Sequence, residues 1–185
     1  MIKIGIVCLI PNNQIVKYCS DNKFIQKVKT TYENFILTNN FNVQTITLVG
    51  NGHPWINHLP VELYLTNKET NAEPSNNYHG IELYMCTGIN IKSKIFMNTH
   101  EGRKLNTYHE QCKIDTELDS LEQLTYIVKE KLPNKKIQIK RGFKQANTLM
   151  VRNCTHVLVF GIEAKPDSEF WDKILCDKQY FCLVD

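Results

Sequence analysis

Three stretches carry residue types that could do chemistry, and each falls where an apolar run gives way to a helical one. The first is Gly50-Asn51-Gly52-His53-Pro54-Trp55-Ile56-Asn57-His58, directly after the apolar Thr45 to Val49. Its two glycines permit positive φ and leave room for a ligand's close approach. The helix expected to follow offers unpaired N–H groups and a partial positive charge, which suits a phosphate. A glycine pair before a helix is equally the mark of an ordinary tight turn. The second stretch is Arg141-Gly142-Phe143-Lys144-Gln145-Ala146-Asn147, the start of a helix that leads to Val157 to Phe160. A solvated helix start with Phe143 tucked into the core fits it as well. The third is Gly161-Ile162-Glu163-Ala164-Lys165-Pro166-Asp167-Ser168, where Asp167 suits an N-cap as readily as a ligand contact. His58 lies one helical turn before Glu62, a carboxylate able to fix its tautomer. It suits a contact to phosphate or ribose, or a helix-surface histidine. Gly52 is expected to face a ligand, so that a bulky residue there removes binding without unfolding the chain.

For these junctions to meet, the apolar runs must form one sheet. Ile4 to Ile10, Thr45 to Val49, Ile81 to Cys86, Val157 to Phe160 and Tyr180 to Val184 are short runs without in–out alternation. Such runs mark strands covered on both faces. Between the first two, Phe24, Ile25, Val28, Tyr32, Phe35 and Ile36 recur at helical spacing, with Ser20 or Asp21 to cap the start and Asn39-Asn40 to close the end. Further helices are expected from Pro54 or Trp55 to Leu65, from a Thr116 cap through Leu118, Leu121, Leu124, Val128 and Leu132 to Pro133, from Lys144 to Asn153, and from Ser168 to Leu175. Alternating strands and helices predict an α/β fold, a three-layer α/β/α sandwich on a mainly parallel sheet of about five strands. Ligands of such sheets lie beyond the carboxyl ends of the strands. Residues 67–79 read as a solvated loop and 90–113 as a longer insertion. No repeat or linker divides the 185 residues, so one domain is expected over 1–185.

Composition narrows the classes further. With 42% hydrophobic residues the chain can build a core, and a net charge of +3 lacks the basic excess of a dedicated nucleic-acid binder. Lysine outnumbers arginine 19 to 3, the bias of an AT-rich genome. Lys92, Lys94, Arg103, Lys104 and the run Lys135-Lys136 to Lys140-Arg141, with Tyr108 and Phe143 nearby, read first as a solvated surface and only second as a single-strand DNA groove. The seven cysteines include no CxxC pair, which points to reduced, buried thiols and a cytoplasmic location. His100, His109 and Cys112 would lack a fourth zinc ligand, so no metal and no cofactor is expected. Met1-Ile2-Lys3 and the apolar residues 4–10 imitate a signal peptide but lack a cleavage site, and the run is too short to span a bilayer, so no membrane association is expected.

Taken together the three junctions resemble the SLOG superfamily, Rossmann-like domains that include the cytokinin-activating phosphoribohydrolases, the DNA-processing protein DprA and nucleotide sensors. One subgroup reads approximately V-S-G-G-A-A-W-A-D-H-L-A-V, then G-F-x-x-R-N before a strand, then G-G-T-x-D-T-W after it. Here Val49, Gly52, Trp55, His58, Leu59 and Val61 match the first pattern. Gly142-Phe143 through Asn147 follow the second and Lys165 to Trp171 the third, so the resemblance spans roughly residues 45–185. It implies a Rossmann-like fold, a nucleotide-type ligand and a homodimer. The ligand would be held by Gly50, Asn51, Gly52, His53, Asn57, His58, Arg141, Gly142, Asn147, Gly161 and Asp167.

The departures fall on polar positions of the family. Ala146 stands at the arginine of the second pattern, Asn57 at the aspartate of the first, and Lys165-Pro166 replace two glycines, with proline removing a backbone donor. Hydrolysis of a nucleoside 5′-monophosphate's N-glycosidic bond would need a carboxylate beside an oxocarbenium-like state, and Glu163 or Glu169 are the candidates. The losses favour a nucleotide-binding, catalytically degenerate domain over a working phosphoribohydrolase. A third expectation is a non-catalytic interaction protein from a large AT-rich DNA virus, acting in the host cytoplasm and using 67–79 and 90–113 as its contact surface.

Overall fold

Six parallel strands make the central sheet of a Rossmann-like three-layer α/β/α sandwich. The computed structural model describes residues 1–10, 22–69, 77–161 and 179–183, together with the single positions 14 and 18. The strands are β1 (Ile2–Cys8), β2 (Ile46–Gly50), β3 (Gly80–Met85), β6 (Lys135–Ile139), β7 (His156–Gly161) and β8 (Gln179–Leu183). Every residue of β2 and β3 is buried, as continuous apolar runs require. Register places Ile4 beside Leu48 and Ile6 beside Leu158.

Period-two alternation sorts the strand residues into two cores. Ile4, Ile6, Ile46, Leu48, Ile81 and Leu83 share one core with Phe24, Val28 and Tyr32 of α1 (Asn22–Thr38), Val61 and Tyr64 of α2 (Leu59–Glu69), and Leu124 and Ile127 of α4 (Ser120–Lys129). Val7, Val49, Tyr84, Val157 and Val159 form the other with Met150 and Val151 of α5 (Phe143–Asn153). Chain order runs outward from β1 through β2 and β3 to β6, then returns to β7 and β8. The switch point therefore lies between β1 and β7, and helices cover both faces.

Beyond shifts of a few residues at element ends, four features differ from the sequence expectation. The sixth strand, β6, lies in the stretch read as a lysine-rich surface. It is an edge strand, and Lys135 donates to the carbonyls of Ile127 and Val128, while Lys136 lies 5.8 Å from the Tyr84 ring centre. Residues 90–113 are largely ordered structure: a hairpin of β4 (Ile89–Asn90) and β5 (Ile95–Phe96), then the 17-residue α3 (His100–Thr116). Thr99 caps α3 by accepting from the Gly102 N–H at 3.0 Å. Thr116 consequently ends a helix, and α4 is capped by Asp119, whose Oδ1 accepts from the Glu122 N–H at 2.9 Å. The helix expected from Pro54 begins as a 3₁₀ turn, Trp55–His58, with α2 following, and it continues past Leu65 to Glu69. The helix expected over Ser168 to Leu175 lies outside the described residues, as do positions 70–76 of the expected loop.

Candidate functional site

At the carboxyl edge of the sheet the chain leaves β2 through Asn51, Gly52 and His53. Gly50 keeps strand conformation and serves packing: a Cβ there would lie 3.3 Å from Leu83 Cδ2 and 3.6 Å from Pro60. Of the two glycines only Gly52 uses positive φ, at 75°. A Cβ on Gly52 would meet Met85 Cγ at 3.1 Å and Leu124 Cδ2 at 3.6 Å. Gly52 thus faces the core, and a bulky residue there would disturb packing before it could touch a ligand. That reverses the sequence expectation for this position.

The neighbouring side chains bring the first and second junctions together. Asn51 Oδ1 accepts from the His53 backbone N–H at 3.0 Å, and Asn51 Nδ2 donates to Asn147 Oδ1 on α5 at 3.1 Å. The His53 ring tilts against Phe143 with centres 4.8 Å apart. His53 Nε2 is buried without a hydrogen-bond partner. Burial lowers the His53 pKa to about 4, so the ring is neutral at physiological pH. Beside it, Gly142 caps α5 at φ 81° with no side chain bonded to the helix start, and exposed Arg141 precedes it. Free N–H groups at such a start favour an anion.

Two further loops reach this edge without having been legible as a site. Cys86-Thr87-Gly88 follow β3, with Cys86 and Thr87 buried. Glu101, in the first turn of α3, has its Oε1 3.7 Å from where a Gly142 Cβ would lie. Burial, reinforced by the Glu101 charge, pushes the Cys86 thiol up to about 12, which makes it a protonated wall and no nucleophile. Cys86 could have been found as the residue that ends an apolar run, as Gly50 does. Glu101 carried no signal, because its segment read as an insertion.

Asn57 and His58 sit elsewhere. Asn57 Oδ1 accepts from the Cys8 backbone N–H at 3.0 Å, tying the end of β1 to the 3₁₀ turn. His58 is 1% exposed and donates from Nε2 to Gln123 Oε1 at 2.9 Å. It belongs to the core and not to a helix surface, because the 3₁₀ turn rotates it inward against α3 and α4. Glu62, its expected partner, instead pairs with Lys29 at 2.5 Å. Nearby His109, also buried, donates from Nε2 to the Gly52 carbonyl at 3.1 Å, and Ser120 Oγ lies 2.8 Å from its Nδ1. Since a carbonyl only accepts, Nε2 carries the proton and the serine hydroxyl donates to Nδ1. Burial outweighs the Gln123 bond and Glu62 in lowering His58 to about 4. Burial, then His58 itself, lowers His109 to about 3.

Gly161 closes β7, buried and opposite Leu183 of β8. Glu163, Asp167 and Glu169 lie outside the described residues. Among the described residues no group of three or more His, Cys, Asp and Glu is placed to hold a metal ion. No described helix is long and apolar enough to cross a membrane.

These features define a Rossmann-like domain whose β2, β3 and β6 loops meet at the carboxyl edge of the sheet. The chain is similar to an uncharacterized protein of Acanthamoeba polyphaga mimivirus, 30% identical over 132 residues. The match covers 70% of this chain and 66% of that protein, just under two thirds of its length. No protein-family model and no solved structure gives a significant match.

Proposed function

We propose that this chain is a SLOG-like domain that binds a nucleotide or nucleotide derivative across the carboxyl edge of its sheet. The observation that carries this reading is His53. A neutral imidazole with a buried, unpartnered nitrogen stands between the β2 turn and the uncapped start of α5. A buried polar atom without a partner is costly, and a ribose hydroxyl or a base edge would satisfy it. Because His53 is uncharged, phosphate recognition falls to the α5 N–H groups and Arg141. Asn51 and Asn147 hold the two turns together, and Glu101 supplies the carboxylate that a hydroxyl would seek. The test is a thermal-shift screen with nucleoside mono-, di- and triphosphates, ADP-ribose and cyclic nucleotides. Binding to the native state raises the melting temperature by mass action. A shift with one class, reduced in His53→Phe, supports the reading; no shift with any of them removes it.

A second reading is favoured by the hairpin. Ile91, Ile95, Met97 and Ile139 are all exposed, and Met97 Sδ and Ile139 Cδ1 each lie 3.4 Å from the position of a Gly88 Cβ. An exposed apolar cluster of this kind suits a protein partner. Together with the similarity to a viral protein, it supports an interaction protein of a large DNA virus. Loss of self-association or partner binding in Met97→Asp, with nucleotide shifts unchanged, would favour this reading over the first.

A further inference from the structure

The face of the sheet that carries α1 and α2 holds a cavity of about 210 Å³ whose lining does not include His53 or α5. Its walls come from Ile25 and Val28 of α1, Trp55 and Ile56 of the 3₁₀ turn, Leu59 of α2 and Leu118 beyond α3. Charge at its rim is already neutralised, because Lys29 and Glu62 are bonded to each other at 2.5 Å. Thr116, also on the lining, spends its hydroxyl on the Cys112 carbonyl at 2.7 Å. Trp55 differs from these neighbours in two ways. It is held at φ 55°, the left-handed region that a bulky residue rarely adopts, and backbone outliers of that kind concentrate at functional sites. Its Nε1 is buried without a partner although the residue is only 8% exposed.

We infer that this cavity is a binding site for a small, neutral, ring-sized apolar molecule bearing one hydrogen-bond acceptor, which takes the Trp55 indole N–H. Size sets the scale, since an apolar cavity of about 150 Å³ accommodates benzene. Neutrality follows from the closed Lys29–Glu62 pair, which leaves an ionic ligand without a free counter-charge. The acceptor follows from the indole N–H, which donates and cannot accept.

The probes are acetophenone and its near-isostere α-methylstyrene, in which the carbonyl oxygen becomes a methylene. Both are titrated into the full chain while the two indole N–H signals are followed by ¹⁵N-correlated NMR, with Trp171→Phe identifying the Trp55 signal. Acetophenone should shift the Trp55 signal downfield and saturably, and raise the melting temperature. The methylstyrene should need about tenfold more for half-saturation, the usual worth of one hydrogen bond. Leu118→Phe, or Ile25→Phe on α1 should the first variant not fold, fills the space and should abolish both responses. A Trp55 signal that does not saturate up to the solubility limit overturns the site. Equal affinity for the two probes, or an unchanged response in a folded filled variant, overturns it as well.

Discussion

At Gly52 the backbone and the core make the same demand. The residue sits at φ 75° and its carbonyl holds the His109 Nε2–H, while a Cβ would press on Met85. Gly52→Ala should therefore cost about 1–3 kcal/mol, the left-handed penalty plus crowding. Urea unfolding measures this; a loss below about 0.5 kcal/mol would show that the loop relaxes freely, since only substitutions away from such features stay in that range. His53 predicts differently, because its Nε2 supports nothing inside the protein. His53→Phe keeps the ring against Phe143 and removes a buried unpaired atom, so stability should hold or rise slightly while any nucleotide-induced shift is lost. Parallel melting curves with and without the best nucleotide separate the two effects. A variant that unfolds would show that the ring is a structural member of the loop contact with Phe143.

Among the elements, β6 shows what a lysine run can hide. Lys135 Nζ donates to the carbonyls of Ile127, Val128 and Glu130, closing the end of α4 and fastening the edge strand beneath it. Lys136, one residue on, is exposed and lies 3.9 Å from Glu82. Lys135→Met leaves three carbonyls without their ammonium donor and should cost about 1–3 kcal/mol, whereas Lys136→Met should change stability by about 0.5 kcal/mol or less. Equal losses in urea unfolding would mean that only net charge matters there. The same pair explains which parts of the fold were legible. Strands β1, β2, β3 and β7 are buried on both faces, so their apolar runs stood out, and α1 and α4 showed helical spacing. Edge strand β6 needs fewer apolar residues, and α3 is polar over most of its length, so neither left a periodic signature. The site was half legible for a related reason. Glycines and asparagines after buried strands mark the edge, but whether they face a ligand or the core depends on packing across the sheet. Gly52 and His58 therefore turned inward where sequence pointed them out, and Glu101 arrived from an element that sequence did not show.

Across the whole molecule, three deeply buried neutral histidines, with a smaller part from half-buried His156, couple acidity to stability. His53 joins the β2 loop to α5, His58 joins the 3₁₀ turn to α4, and His109 joins the Gly52 carbonyl to Ser120. Each has its folded pKa depressed, to about 4 for His53 and His58 and about 3 for His109, by burial first. In the unfolded chain they titrate near 6.5, so below that pH the unfolded state binds more protons and gains relative to the native one. Their contribution is therefore fully present above about pH 6.5 and is lost as the pH falls toward 4, at up to about 1.4 kcal/mol per histidine and pH unit. Glu82 gives the next window. Burial opposes its ionisation, but hydrogen bonds from Lys3 and Tyr84 hold its carboxyl below the usual range, so its contribution is lost only at lower pH. Urea midpoints should thus be flat from pH 8 to about 6.5 and then fall steeply through pH 5, before carboxylates titrate appreciably. His58→Gln, which keeps a neutral hydrogen-bonding side chain beside Gln123, should lower the plateau and flatten that fall by roughly a quarter to a third, because His156 shares in it. A slope that begins only below about pH 4.5, or one that His58→Gln leaves unchanged, would place the acid sensitivity in the carboxylates and remove the histidines from it.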